Sequence, residues 1–179
     1  YHWPPIHRRL RKAGIATELF LPRLTPRWLT TGWLPFVNLR NHRKVLVVDG
    51  TVGFTGGMNV RDDFLADDGR APLMDLHARL QGPVVVHLQE AFAEDWLFTT
   101  GEPLEGGAFF PPLRAAGEVL ARGVPDGPDE DFEAVRWLLL GALAIARERV
   151  RIVTPYFLPD AGLITAIDVA VMRGVEVDV

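Results

Sequence analysis

The residues best suited to chemistry are concentrated between Leu39 and Asn59, in the stretch LRNHRKVLVVDGTVGFTGGMN. Two basic side chains, His42 and Lys44, precede the apolar run Val45–Val48, which is typical of a strand buried on both faces. Because side chains alternate along a strand, His42 and Lys44 share one face at its start. An imidazole beside an ammonium at the edge of a core is costly unless an anion binds there. The pattern therefore predicts an anion site, with a solvated strand end as the alternative.

A turn and a glycine pair follow this strand. Asp49-Gly50 is a tight-turn dipeptide, so residues 51–55 are predicted to return as an antiparallel partner. Gly56-Gly57 then lets the backbone pass close to its neighbour, and Asn59 comes directly after it. One short segment thus offers an imidazole, an ammonium and an amide.

The spacing His42-x-Lys44-x4-Asp49, followed by Gly56-Gly57-x-Asn59, resembles the signature of the phospholipase D superfamily. The resemblance runs over nearly the whole chain and is strongest to the bacterial cardiolipin synthase branch, in the segments LRNHRK, TGGMN, MDLH, LQGP, EDW, TPYFLPD and RGVEV. Members of this superfamily are two-lobed α/β sandwiches of mixed sheets flanked by helices. Their two similar halves each contribute one His-x-Lys-x4-Asp motif to a shared site, and the resemblance implies the same fold here.

The chain carries a single copy of this motif, because no other histidine has a lysine two residues later. The resemblance implies that residues 1–100 are the C-terminal part of a first half and residues 117–179 the N-terminal part of a second. Residues 101–116, which are rich in Gly and Pro, are predicted to link them. A second motif is expected beyond Val179. A homodimer with two facing copies of His42 is the alternative, although the segments that resemble a second half argue against it.

These residue types fit the transfer of a phosphodiester group. His42 would attack phosphorus and form a phosphohistidine, while Lys44 and the Asn59 amide would hold the non-bridging oxygens. Only two of the 19 Lys and Arg residues are lysines, Lys12 and Lys44, which suggests that the site needs a compact point charge. The five histidines show no metal-ligand spacing, so neither a metal nor a cofactor is expected.

Other site residues rest on the resemblance. Asp75 is the candidate for fixing one nitrogen of His42, since related enzymes have an acidic residue on the strand after the Asn turn; a surface carboxylate is the alternative. Asp49, of opposite parity to His42, is included in the catalytic motif and is predicted to brace the strand.

Substrate binding is assigned to Gly56, Gly57 and Tyr156, the last by resemblance alone and with a packed aromatic as the alternative. His77 and Arg79 share the face of Asp75 and could line the path of a lipid headgroup. A solvated strand face is the favoured explanation for that pair.

The elements that must position these residues alternate between helices and strands, which predicts an α/β fold. Predicted helices cover residues 5–13, 83–97, 132–149 and 161–173. Predicted strands cover residues 15–21, 45–48, 51–55, 72–81, 119–124, 150–154 and 175–179. The β-α-β order of the last third predicts parallel pairing with a right-handed crossover.

Composition limits the partners. The net charge of −4 gives no overall attraction for nucleic acid, so none is expected as a partner. The longest apolar run, residues 137–146, is half of the ~20 residues that a membrane-spanning helix needs, so no transmembrane segment is predicted. Aromatic and arginine side chains in residues 22–38 suit a bilayer interface, with packing onto the core as the alternative. The chain has no cysteines, which excludes thiolate chemistry.

The resemblance implies a phosphatidyltransferase of cardiolipin synthase type. Such an enzyme moves a phosphatidyl group from phosphatidylglycerol through a phosphohistidine onto the hydroxyl of a second phospholipid, at the inner membrane of a bacterial cell. One alternative is a phospholipase D-type phosphodiesterase that hydrolyses lipid or nucleic acid. Another is a non-catalytic half-domain that binds anionic lipid. The oligomeric state is left open.

Overall fold

The computed structural model describes residues 5–20, 41–61, 64–65, 71–125, 133–154 and 157–179. It comprises two compact units, Tyr1–Gly123 and Val124–Val179. Their elements follow the order α1 (Ile6–Lys12), β1 (Val45–Val48), β2 (Val52–Gly56), β3 (His77–Gln81), α2 (Val84–Thr100), α3 (Ala134–Ile145), β4 (Arg149–Arg151), α4 (Ala161–Met172) and β5 (Glu176–Asp178). The chain is therefore α/β, as predicted. Residues 101–116 are part of the first unit, and the assignment of residues to two superfamily halves stays a prediction.

The first unit is built on an antiparallel sheet of order β1-β2-β3. Asp49 and Gly50 have φ angles of 52° and 64°, and the Thr51 N–H donates to the Val48 carbonyl at 3.0 Å. Two consecutive positive φ angles give the turn whose twist matches that of the flanking strands. The predicted hairpin is confirmed.

Helix α2 covers one face of this sheet. Val85 and Leu88 of α2 are buried, and a Cβ added to Gly53 of β2 would lie 2.6 Å from the Leu88 Cδ1 atom. The register pairs Gly53 with Val47 and with Leu80, so these residues share the face that α2 covers. The predicted helix is confirmed and continues three residues further, to Thr100.

The opposite face of the sheet is open in the part of the chain that the structure describes. Leu46 and Val48 of β1 are 57% and 41% exposed, and they pair with Phe54 and Val52 on the same face. The prediction that β1 is buried on both faces is therefore wrong for this unit. Of the helices that the structure describes, only α2 covers the sheet, and alternate residues of β1 face away from it.

Two predicted strands are not formed among the described residues, and a third begins later than predicted. Residues 15–20 and 119–124 are irregular, with Ile15 51% and Val119 87% exposed. Neither segment pairs with another strand among the described residues, and an unpaired backbone has no ladder to satisfy its N–H and C=O groups. The strand predicted from residue 72 begins at His77, because its pairing with β2 starts at Gly56.

The second unit contains the predicted β-α-β arrangement. Strands β4 and β5 are parallel, with Val150 opposite Val177, and α4 connects them. Its core is formed by Leu143, Ala170 and Val175. Helix α3 ends at Ile145, four residues before the predicted end, because Ala146 turns to an extended conformation with ψ of 137°. Among the described residues, no helix combines the length and the hydrophobicity needed to cross a membrane.

Candidate active site

One end of the three-stranded sheet gathers most of the predicted site residues. Neighbouring strands are antiparallel, so the start of β1, the end of β2 and the start of β3 lie side by side. The residues found at this end are His42 and Lys44 before β1, Gly56, Gly57 and Asn59 at the end of β2, and Asp75 two residues before β3. Tertiary structure thus joins two segments that lie apart in sequence.

The residues that alternate with His42 and Lys44 attach this segment to α2. Arg43 Nη1 donates to Asp95 Oδ1 at 2.8 Å, and Asn41 Nδ2 donates to the other oxygen of the same carboxylate. Asn41 Oδ1 in turn accepts from the Arg43 backbone N–H at 2.8 Å. Because side chains alternate along an extended chain, His42 and Lys44 lie on the opposite, open face. The sequence analysis missed this role of Asp95, for which the only signal was the polar alternation before β1.

The Lys44 ammonium is held against the backbone of His42. The Lys44 ammonium donates to the His42 backbone carbonyl at 2.7 Å. The His42 side chain is exposed, whereas Lys44 is half-buried. An accessible imidazole next to a localised cation can attack an anionic group while the cation stabilises the charge on its oxygens.

The glycine pair allows Asp75 to lie against the end of β2. A Cβ on Gly57 would be 2.5 Å from Asp75 Oδ1 and 2.8 Å from Oδ2, and a Cβ on Gly56 would collide with the Leu76 carbonyl. The Gly57 N–H donates to the same Leu76 carbonyl at 3.1 Å. No side chain other than hydrogen fits between these backbones without a shift. Within the described residues no hydrogen bond joins Asp75 to His42.

One predicted site residue, Asp49, is not brought to this end. Asp49 lies in the turn between β1 and β2, at the far end of the four-residue strand β1, which at ~3.3 Å per residue is more than about 13 Å from Lys44. This geometry favours the bracing role over contact with a substrate at the other end. Tyr156 lies outside the described residues, as do the aromatic side chains of residues 22–38.

The chain is similar to bacterial proteins named cardiolipin synthase A. It is 41% identical over 173 residues to the protein of Pseudomonas fluorescens strain SBW25. This match covers 94% of this chain and 34% of the relative. The identity is 39% over 175 residues to the protein of Pseudomonas putida strain F1, covering 95% of this chain and 34% of the relative. The matched region takes in nearly the whole of this chain.

This similarity confirms the resemblance to the cardiolipin synthase branch that the motif and the surrounding segments predicted. The chain spans about one third of the length of the relatives it matches, 34% in each of these two comparisons. No family model matches the chain. No solved structure matches it either.

Proposed function

We propose that the full-length protein is a phosphatidyltransferase that forms cardiolipin from two molecules of phosphatidylglycerol. The main support is the gathering of His42, Lys44, Asn59 and Asp75 at one end of the sheet, in a chain homologous to cardiolipin synthase A. These groups are a nucleophile, a cation, an amide and a carboxylate, which is the set that phosphodiester transfer needs. The substrate is a membrane lipid, so we also propose that the protein works at a membrane surface.

In the first step a ring nitrogen of His42 attacks phosphorus of phosphatidylglycerol. The N–P bond forms as the P–O bond to glycerol breaks, and the departing alkoxide takes a proton from an acid. We assign this acid to the histidine of the expected second motif. Lys44 and the Asn59 amide stabilise the charge on the non-bridging oxygens. Asp75, lying against Gly57 beside this segment, would accept a hydrogen bond from the imidazole when the substrate is bound.

In the second step a hydroxyl of another phosphatidylglycerol attacks the phosphohistidine. The new O–P bond forms, the N–P bond breaks, and the hydroxyl proton passes to the group that acted as the acid. Water in place of this hydroxyl would give hydrolysis and phosphatidic acid. The identity of the acceptor, a lipid hydroxyl or water, therefore distinguishes a transferase from a phosphodiesterase.

The test is the conversion of labelled phosphatidylglycerol by the full-length protein and its His42→Ala variant. We expect the wild type to produce cardiolipin and glycerol, and the variant to lose activity by about 10³-fold or more while its circular dichroism is unchanged. His7→Ala, a histidine in α1, is the matched control and should be fully active. Full activity of His42→Ala would overturn the nucleophile assignment, and phosphatidic acid as the product would show a hydrolase.

A further inference from the structure

His77 has a buried nitrogen without a hydrogen-bond partner. It is the first residue of β3, and its Nδ1 atom is the one buried side-chain polar atom without a partner among the described residues. A buried polar atom that gives up its water without a new partner destabilises the fold. Such an atom beside a reaction site suggests that its partner is a ligand.

Another histidine of the same unit shows that this feature is specific to His77. His87 is half-buried in α2, and its Nδ1 accepts from the Gly123 backbone N–H at 2.9 Å. That nitrogen is satisfied within the protein and serves to attach the chain near Gly123. His77 lacks an equivalent contact within the described chain, and its nitrogen is buried.

The register places His77 in line with Lys44 across the sheet. His77 pairs with Gly56, and the pairing of Val45 with Thr55 puts Lys44 next to Gly56 on the other side. A Cβ on Gly56 would lie 2.7 Å from His77 Nδ1, so the nitrogen overhangs the glycine. Lys44, Gly56 and His77 therefore form one row on the open face. Gly56 has no side chain, so none stands between the cation and the imidazole in this row.

We infer that His77 Nδ1 donates a hydrogen bond to one non-bridging oxygen of the phosphodiester group while Lys44 binds the other. This inference rests on the proposed function and adds a substrate-contacting residue to its site. The ligand chemistry is that of a phosphate oxygen, which accepts from an N–H and pairs with an ammonium. Strands are ~4.8 Å apart, so about 9.6 Å separates the backbones of β1 and β3, and no side chain of Gly56 stands between them.

Three substitutions of His77 in the full-length protein distinguish the effect of losing the hydrogen-bond donor from the effect of changing the shape of the side chain. His77→Phe keeps a ring and removes both nitrogens, His77→Asn places an amide N–H near the position of Nδ1, and His77→Gln places one near Nε2. We expect the Phe and Gln variants to lose roughly 10²-fold in kcat/KM, as for loss of one oxyanion donor, and the Asn variant to recover most of it. His87→Gln is the control and should keep wild-type kinetics with, at most, a lower Tm.

The first readout is cardiolipin formation from soluble short-chain phosphatidylglycerol. Equal rates for the wild type and His77→Phe would overturn the inference. A kcat/KM of His77→Asn no higher than that of His77→Gln would overturn it as well. If the wild type makes no cardiolipin, the proposed function fails, and the same order of variants is then sought in phosphodiester hydrolysis.

The second readout needs no turnover, since inorganic phosphate binding is measured by calorimetry. A free phosphate and a lipid phosphate offer the same oxygens, so we expect binding to weaken about 10-fold in His77→Phe and to return in His77→Asn. Phosphate binding that is absent in the wild type, or equal in wild type and His77→Phe, would overturn the inference. Weakened phosphate binding without any effect on the lipid reaction would mean a free-anion site only and would also overturn it.

Discussion

Consecutive side chains from Asn41 to Lys44 alternate between holding the segment and facing the open surface. Asn41 and Arg43 bind the two oxygens of Asp95, and the residues between and after them carry the imidazole and the ammonium. A one-residue shift would exchange these tasks, because the side-chain period of an extended chain is two. The spacing of His42 and Lys44 is therefore tied to the geometry of the segment as well as to the chemistry.

Lys44→Arg should lose most of the activity of the full-length protein. Lys44 Nζ donates to the His42 carbonyl at 2.7 Å, and a planar guanidinium cannot keep the ammonium's compact charge at that point. We expect a fall in kcat of about 10²-fold, measured as cardiolipin formed from phosphatidylglycerol. Lys12→Arg, at the exposed end of α1, is the matched control. A Lys44→Arg rate equal to wild type would show that only positive charge matters here.

At the scale of elements, α2 has two functions in the first unit. Its N-terminal half covers the sheet through Val85 and Leu88, and its C-terminal half holds residues 41–44 through Asp95. Arg43 also donates to the Ala91 carbonyl at 3.4 Å, one turn earlier in the helix. The position of His42 relative to β2 and β3 therefore depends on a helix that follows them in sequence.

Asp95→Ala should weaken both stability and catalysis. It leaves the half-buried Arg43 without its carboxylate partner at 2.8 Å, which we expect to cost about 1–3 kcal/mol of unfolding free energy. The freed segment should also lower kcat by about 10-fold, since misplacement of the nucleophile raises the barrier. Urea unfolding and cardiolipin formation measure the two effects. Glu94→Ala, at the exposed neighbouring position, is the control. Equal stability and equal kcat in the two variants would contradict the proposed role of Asp95 in holding this segment.

Helix α4 begins at a charged cap whose strength depends on pH. Asp160 Oδ1 accepts from the Leu163 backbone N–H at 2.7 Å, and Oδ2 accepts from Arg136 Nε at 2.7 Å. The hydrogen bond from the Arg136 side chain, and next that from the Leu163 N–H, lower the pKa of Asp160 below its ordinary value of 3.8. A carboxylate with a lowered pKa stabilises the fold above its unfolded pKa, and this contribution is lost as the pH falls through the folded pKa.

We therefore expect the Tm of the second unit to fall more steeply below about pH 4 in the wild type than in Asp160→Asn. Asparagine can still cap the helix through its side-chain oxygen but cannot be protonated. Thermal unfolding followed by circular dichroism between pH 3 and pH 7 measures the difference, and the remaining carboxylates contribute equally to both proteins. Parallel curves for the two proteins would show that the Arg136 pair does not stabilise the fold.

At the scale of the whole molecule, the two units differ in what they contribute. The first unit holds the single His-x-Lys-x4-Asp motif, and the second holds a β-α-β arrangement without such a motif. A histidine nucleophile needs an acid for the leaving alkoxide, and the mechanism assigns that acid to a second histidine. The two-motif protein and the homodimer differ in where this second histidine comes from.

The isolated 179-residue chain should not form cardiolipin from phosphatidylglycerol at any protein concentration, because it has one motif. The full-length protein should be active, with a rate proportional to its concentration. Thin-layer chromatography of labelled lipid over a range of concentrations tests both statements. Activity of the isolated chain that rises with the square of its concentration would instead support a dimer with two copies of His42.

Local signals were enough to predict the pieces of the site. The turn at Asp49-Gly50, the periodicity of α2 and the β-α-β order each follow from neighbouring residues, and the structure confirms them. The resemblance to the cardiolipin synthase branch also rested on short motifs, and the comparisons confirm it. The roles of His42 and Lys44 remain predictions.

Tertiary structure alone decided which face of the sheet is covered, which strands form and what lies beside the glycines. Residues 15–20 and 119–124 have strand-like sequences but no pairing partner among the described residues, and β1 is covered by one helix rather than two. The contact of Asp75 with Gly57 and the position of Asp49 at the other end follow from register across strands. Periodicity sets the direction of each side chain, whereas pairing and coverage depend on residues far away in sequence.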